Sequence, residues 1–310
     1  RQFARPSLVA LAALALCGAC PDDSDGIGGG SSTGAEASTS GTTAMTAGTS
    51  EPTTTLDPDT TVAVLPVSAT EQHGPHLPLS TDAVINSGVL HAALARLPAA
   101  TATSILLLPP LAVGDSLEHS AFPGTVSVDS HALMGLWLSI GRSVARAGVR
   151  KLVIFNSHGG QKAHVDLVAV RLRVECRMLV VRAHSFGFGV PPGLFDVEER
   201  AHGIHAGAVE TSLMLHLRPD LVRQSALKTF PSLGQQLVAR GGTLGVEKPV
   251  GFGWMTQDLN PEGACGDATQ ASAAKGAAVL DHMAEGLARL LQDVIALPLD
   301  TLRDGPLPTG

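Results

Sequence analysis

The chain has 310 residues, 44% of them hydrophobic, with 28 acidic against 21 basic side chains and a formal charge of −7. No basic stripe appears, which argues against a nucleic-acid partner. Of the four cysteines, Cys17 and Cys20 lie near the start, leaving Cys176 and Cys265 with no CxxC pair for a thiolate zinc site. Residues 1–20 join basic Arg1 and Arg5 to an apolar run over 7–19 that ends in Gly18-Ala19, just before Cys20. This pattern predicts a signal peptide of lipoprotein type, acylated at Cys20. It implies an exported protein, periplasmic or cell-envelope, that meets the membrane only through its lipid anchor. The run, roughly 13 residues, is shorter than the ~20 that a membrane span needs. Residues 21–58 are Ser, Thr, Gly, Ala and acidic residues, and read as a disordered tether. Residues 59–300 are rich enough in apolar side chains for one core-bearing domain.

Within that domain, strand-like apolar runs alternate with helical patterns. Val62–Val67 reads as a buried strand, followed by a helix over 82–97. Residues 104–108 predict a second strand. A helix over 130–147 follows, opened by the capping candidates Asp129 and Ser130. A third strand at 151–155 precedes a helix at 160–174, and a fourth strand at 177–181 precedes a helix at 206–217. The last helix covers about 269–297, and the loops over 186–204 and 231–266 are candidate pocket walls. Such alternation predicts a mainly parallel sheet covered by helices on both faces.

The residues with the most chemistry form the block Glu71-Gln72-His73-Gly74-Pro75-His76-Leu77-Pro78-Leu79-Ser80-Thr81-Asp82, directly after the first strand. Imidazole and carboxylate groups hold zinc, manganese or iron(II). A turning loop could direct Glu71 and His73 to two neighbouring ions, and Asp82, at a helix start, suits bridging them. His76 reads as a residue that orients a ligand from behind. His158, in Asn156-Ser157-His158-Gly159-Gly160, precedes glycines that admit close backbone approach. Glu210 lies five residues after His205, so on one helix the two would diverge, one binding metal and the other facing substrate. Glu118 and His119 could contact substrate or support the metals. His91, His131, His164, His216 and His282 read as surface or packed residues.

The blocks EQHGPHLPLSTD, GDSLEHSAFPGT, NSHGG and HAGAVETS, with GACGDATQASAAKG near the end, resemble those of the creatininase family of amidohydrolases. The resemblance implies a three-layer α/β/α sandwich with two divalent metal ions, Zn2+, Mn2+ or Fe2+. It makes Glu71 and His158 ligands of one metal, His73 a ligand of the other, and Asp82 the bridge. The last ligand is then Glu210, because creatininase draws that carboxylate from the position held here by Gly160. His205 matches the histidine that transfers protons. The family also implies a homo-oligomer, a hexamer by resemblance. Gln161 stands where many members have Asn, and Ser68 where Gly is frequent. The tryptophans that line creatininase's pocket have no evident counterpart.

The expected reaction is hydrolysis of a small amide or cyclic amide, a C–N bond other than a peptide bond. A metal-activated water attacks, and His205 passes a proton to the leaving nitrogen. Two other readings are an exported metal- or ligand-binding protein without turnover, and a lactonase or phosphoesterase on the same site. The phosphoesterase lacks an Arg/Lys cluster near the blocks to recognise phosphate.

Overall fold

A computed structural model describes residues 56–247 and 250–306. The expected signal over 1–20, and the tether up to residue 55, lie outside the described residues. Four parallel strands, β1 (Val62–Val67), β2 (Ile105–Leu107), β3 (Lys151–Asn156) and β4 (Leu179–His184), form a sheet in the order β2-β1-β3-β4. A short antiparallel pair, β5 (Thr229–Phe230) and β6 (Gly266–Asp267), stands apart. The helices in chain order are α1 (Thr81–Leu94), α2 (Ala99–Ala102), α3 (Ser130–Arg146), α4 (Lys162–Cys176) and α5 (Val197–His202). They continue with α6 (Ala208–Leu217), α7 (Leu233–Ala239), α8 (Thr256–Leu259) and α9 (Ala273–Ala296).

β1 and β3 are buried at every position. Because successive strand side chains point to opposite faces, each strand feeds two cores. Val62, Val64, Val153 and Phe155 pack with Val89 of α1, Leu213 of α6 and Met283 and Leu287 of α9. Ala63, Leu65, Leu152 and Ile154 pack with Leu133 and Trp137 of α3 and Val165 and Leu172 of α4. The result is the three-layer α/β/α sandwich expected. Lys151 opens β3 fully buried, and its ammonium donates to the carbonyls of Ile295 (2.9 Å) and Leu297 (2.7 Å), capping the end of α9.

The strand order reverses between β1 and β3, where chain connections lead outward in both directions. Open α/β sheets bind ligands in the crevice at the carboxyl ends of strands at such a point. Asn86 of α1 closes the floor of this crevice by donating to the carbonyls of Val67 (3.1 Å) and Phe155 (3.0 Å).

Several boundaries differ from the sequence reading. α1 ends at Leu94 rather than 97, and the chain leaves it through a tighter turn in which the Arg96 and Leu97 amides donate to the Ala93 and Leu94 carbonyls. β4 starts at Leu179, because Arg177 adopts a left-handed φ of 54° as α4 closes. α9 starts at Ala273, where the Ser272 hydroxyl accepts from the Lys275 amide. The loops over 186–204 and 231–266 contain α5, α7 and α8, helices too short for an apolar period to reveal. Cys176 and Cys265 are both free. Among the described residues no helix is long and apolar enough to cross a membrane.

Gly276 sets how closely α9 approaches α6: a Cβ there would lie 1.9 Å from the Ser212 carbonyl oxygen. Gly276→Ala should destabilise the domain by about 1–3 kcal/mol through overpacking. Gly135→Ala, on an exposed turn of α3 with nothing within 4 Å, should stabilise it by about 0.5–1 kcal/mol. Urea unfolding of both variants checks the pair of opposite signs.

Candidate metal centre

The loop after β1 delivers Glu71 and His73, and the first turn of α1 delivers Asp82. A left-handed turn at Gly74 (φ 65°), where a Cβ would meet Ala264 at 2.9 Å, swings the chain back between them. His158 follows β3, and Glu210 enters from the first turn of α6. Both helix N-termini favour the carboxylates they carry. Glu71, His73, Asp82 and His158 are each at most 3% exposed.

These side chains converge. His73 Nε2 lies 3.3 Å from Asp82 Oδ1 and 3.9 Å from Glu210 Oε2. His158 Nδ1 lies 3.1 Å from Glu71 Oε2 and 3.4 Å from Asp82 Oδ2. Ligands bonded to one ion at about 2.1 Å stand about 3.0–3.4 Å apart in octahedral or tetrahedral geometry, which three of these four separations match. The two oxygens of Asp82 face different histidines, as a bridging carboxylate would. Glu71 Oε2, His73 Nε2 and Asp82 Oδ2 are buried without a hydrogen bond. Buried polar atoms rarely go unsatisfied, and divalent cations held by this cluster would satisfy them.

The rings are held in one tautomer from behind. His73 Nδ1–H donates to the Glu71 carbonyl (3.1 Å), and His158 Nε2–H donates to the Asp115 carbonyl (2.9 Å). His205 Nε2–H donates to the Gln72 carbonyl (2.8 Å). Each ring therefore turns its basic nitrogen toward the carboxylates, the arrangement typical of metal-ligating histidines.

Charge balance in the metal-free protein falls to protons. Burial alone would lower His73, but the carboxylates of Asp82, Glu210 and Glu71 outweigh it and raise the ring to about 10. His158 is likewise raised against its burial by Glu71 and Asp82. Burial would raise Asp82, yet His158 and His73 bring it down to about 2. Glu210 is pushed up to about 7, by burial and by its acidic neighbours Asp82 and Glu71. Burial, together with His73 and His119, holds His205 well below the ordinary histidine range.

His205 does not diverge from Glu210, as it would on one regular helix. It precedes α6, and Ala206 takes a left-handed φ of 53° while its amide donates to the Glu210 carboxylate. That turn brings both side chains to the cluster: His73, His205 and Glu210 offer atoms within 4.8 Å of one another. His76 stays outside. Its Nε2–H donates to the Ala206 carbonyl (3.0 Å), so it supports the turn that carries His205. Glu118 lies over His158 (3.5 Å), and His119 Nε2 reaches Glu71 Oε1 at 3.7 Å. His91, His131, His164, His216 and His282 stay out of the cluster.

Supporting residues went unrecognised in the sequence. Asn156 donates to the His158 carbonyl and accepts from the His158 amide. Gln161 donates to Asn156 Oδ1 (2.9 Å) and also approaches the Ser68 carbonyl and the Asp115 amide, both at 3.4 Å. It joins three site loops. The signal was its place next to the paired glycines in a buried block.

A family model described as "Creatininase: Creatinine amidohydrolase" matches residues 47–291. The chain belongs to the creatininase family. A mycofactocin precursor peptide peptidase of Mycolicibacterium smegmatis is 33% identical over 230 residues, covering 73% of this chain and 83% of that one. A creatinine amidohydrolase of Pseudomonas putida is 32% identical over 183 residues, covering 52% of this chain and 66% of the relative. The solved Mn form of creatininase superposes with a TM-score of 0.60 at 26% identity, over 77% of this chain and 92% of that structure. Another creatininase structure is of Zn–Zn type. As a family member the chain is a metal-dependent amidohydrolase.

Loading the site with a divalent ion must displace the protons on His73 and His158. Both rings sit above their ordinary pKa and Glu210 is pushed up to about 7, so metal affinity should rise with pH from 6 to 8, with between about two and three protons released per molecule. Calorimetry in buffers of different ionisation enthalpy measures that number. No proton release would contradict the charge balance described above.

Proposed function

We propose that the protein hydrolyses an amide C–N bond at a two-metal site. The observation that carries this reading is the trio of unbonded buried atoms, Glu71 Oε2, His73 Nε2 and Asp82 Oδ2, with both histidine tautomers set from behind. Glu71 and His158 would hold one divalent ion, zinc or manganese, and His73 and Glu210 the other. Asp82 would give one oxygen to each. Bound there, the ions would lower the pKa of a water and polarise the amide carbonyl.

The chain's own residues then manage protons and access. His205, fixed by the Gln72 carbonyl, keeps Nδ1 free to take a proton and hand it to the leaving nitrogen. Gly159 and Gly160 are exposed at the mouth, and Gly160 leaves room for the half-buried Glu118 to lie over His158.

The substrate we favour is a small or cyclic amide, in line with the creatinine amidohydrolase relative. Peptide cleavage is the second reading, supported by the 33% identity over most of a precursor peptide peptidase. A lipid-anchored, cell-envelope enzyme that forms homo-oligomers completes the proposal. Metabolic labelling with a fatty acid, lost in Cys20→Ser, tests the anchor.

The catalytic test is turnover of formamides, lactams, cyclic ureas and short peptides by metal-loaded protein. His205→Asn, loaded with manganese, should cut the rate about 10²–10⁴-fold while its two manganese ions are kept. His73→Ala should lose both metal and rate. Equal rates for wild type and His73→Ala would overturn the mechanism, and hydrolysis of peptides alone would select the second reading.

A further inference from the structure

Once Glu71 Oε2, His158, Asp82, His73 and Glu210 are assigned to two ions, three ligand atoms at the same crevice remain: Glu71 Oε1, His119 Nε2 and His205 Nδ1. They lie within 4.8 Å of one another, and all three residues are largely buried. Glu71 Oε1 is 3.7 Å from His119 Nε2 and 3.9 Å from His205 Nδ1, and the two rings stand 4.3 Å apart.

Both rings are set to bind. His119 Nδ1–H donates to Thr256 Oγ1 (3.2 Å), whose own hydroxyl is spent on the Glu118 carbonyl (3.0 Å). His205 Nε2–H is spent on the Gln72 carbonyl. The two basic nitrogens therefore face the free oxygen of Glu71. Two imidazoles and one carboxylate with an open fourth position make up a known zinc ligand set.

We propose that Glu71, His119 and His205 form a site for a third divalent cation, best suited to zinc, whose occupancy stops turnover by engaging the lone pair of His205. This inference rests on the two-metal reading above. An ion there would share Glu71 with its neighbour, so it binds more weakly than the first two and acts only when zinc is in excess. Manganese, lower in the affinity order for nitrogen ligands, should leave the site open. His205 alone does not discriminate, since its Nδ1 also reaches His73 and Glu210. His119 does, because the set containing His73 and Glu210 excludes it.

The experiment is equilibrium dialysis of the full chain against Zn2+ and against Mn2+, with bound metal counted by elemental analysis. The wild type should bind three zinc ions but only two manganese ions. His119→Asn should bind two of either metal, and on any amide that turns over it should lose inhibition by excess zinc. Thr256→Val keeps His119 but removes the oxygen that orients it, and should weaken the third zinc about tenfold while retaining two. Two zinc ions in the wild type, or three in His119→Asn, would overturn the third site and leave the two-metal reading standing. Fewer than two in the wild type would overturn both.

Discussion

Burying carboxylates together is expensive, and the architecture of this protein follows from making that burial tolerable. Glu71, Asp82 and Glu210 meet at the carboxyl end of a parallel sheet, away from bulk water. Unpaired buried charges cost several kcal/mol each. Positive charge must therefore come into the cluster, from protons on His73 and His158 or from metal ions that displace them. A ring can serve a metal only if its basic nitrogen faces inward. An acceptor is then needed behind each one, and Glu71, Gln72, Asp115 and Thr256 provide them. Those acceptors lie on three separate stretches of chain, so the centre forms only when the loops are locked together.

The locks are polar and buried. Asn86 spans the carbonyls of β1 and β3, and Asn156 and Gln161 tie the His158 loop to its neighbours. On the other side, Glu199 of α5 accepts from the amides of Ala208 (2.5 Å) and Asp267 (2.7 Å). A Cβ on Gly203 or Gly207 would stand 2.1 or 2.4 Å from its carboxylate, so glycine at both positions makes room for it. The Cys265 amide donates to the His205 carbonyl at 2.8 Å. The closing motif seen in the sequence thus acts at the site, although it contributes no cluster side chain. It holds the backbone of the proton-carrying histidine.

The layers could be read from the sequence because they depend on local signals, whereas the ligand set came from the resemblance of whole blocks. Apolar runs such as VAVLPV and KLVIFN identify buried strands, and chemistry-bearing residues directly after a strand fall at one edge of the sheet. The sequence did not reveal where side chains point. His205 and Glu210, five apart, diverge on a regular helix. They converge here because Ala206 adopts a left-handed conformation that a non-glycine residue seldom takes, held by the Glu210 carboxylate itself. His119 was equally opaque, since its orientation depends on Thr256, 137 residues away. Long-range hydrogen bonds set the tautomers, and no local spacing records them.

Gly160 shows how two forms of this centre exclude each other. A Cβ at that position would lie 1.9 Å from Glu118 Oε1 and 2.7 Å from His158 Nε2. A carboxylate carried there, as the resemblance describes for creatininase, cannot coexist with Glu118 in its present place. With glycine at 160, Glu118 moves in over His158, and the fourth carboxylate-type contact to the cluster comes from α6 through Glu210. Gly160 thus changes which side chain borders the mouth over His158, Glu118 taking the space that a side chain at 160 would need. The metal chemistry can therefore stay constant while the space presented to substrate changes, and this separates the reaction class from the identity of the amide.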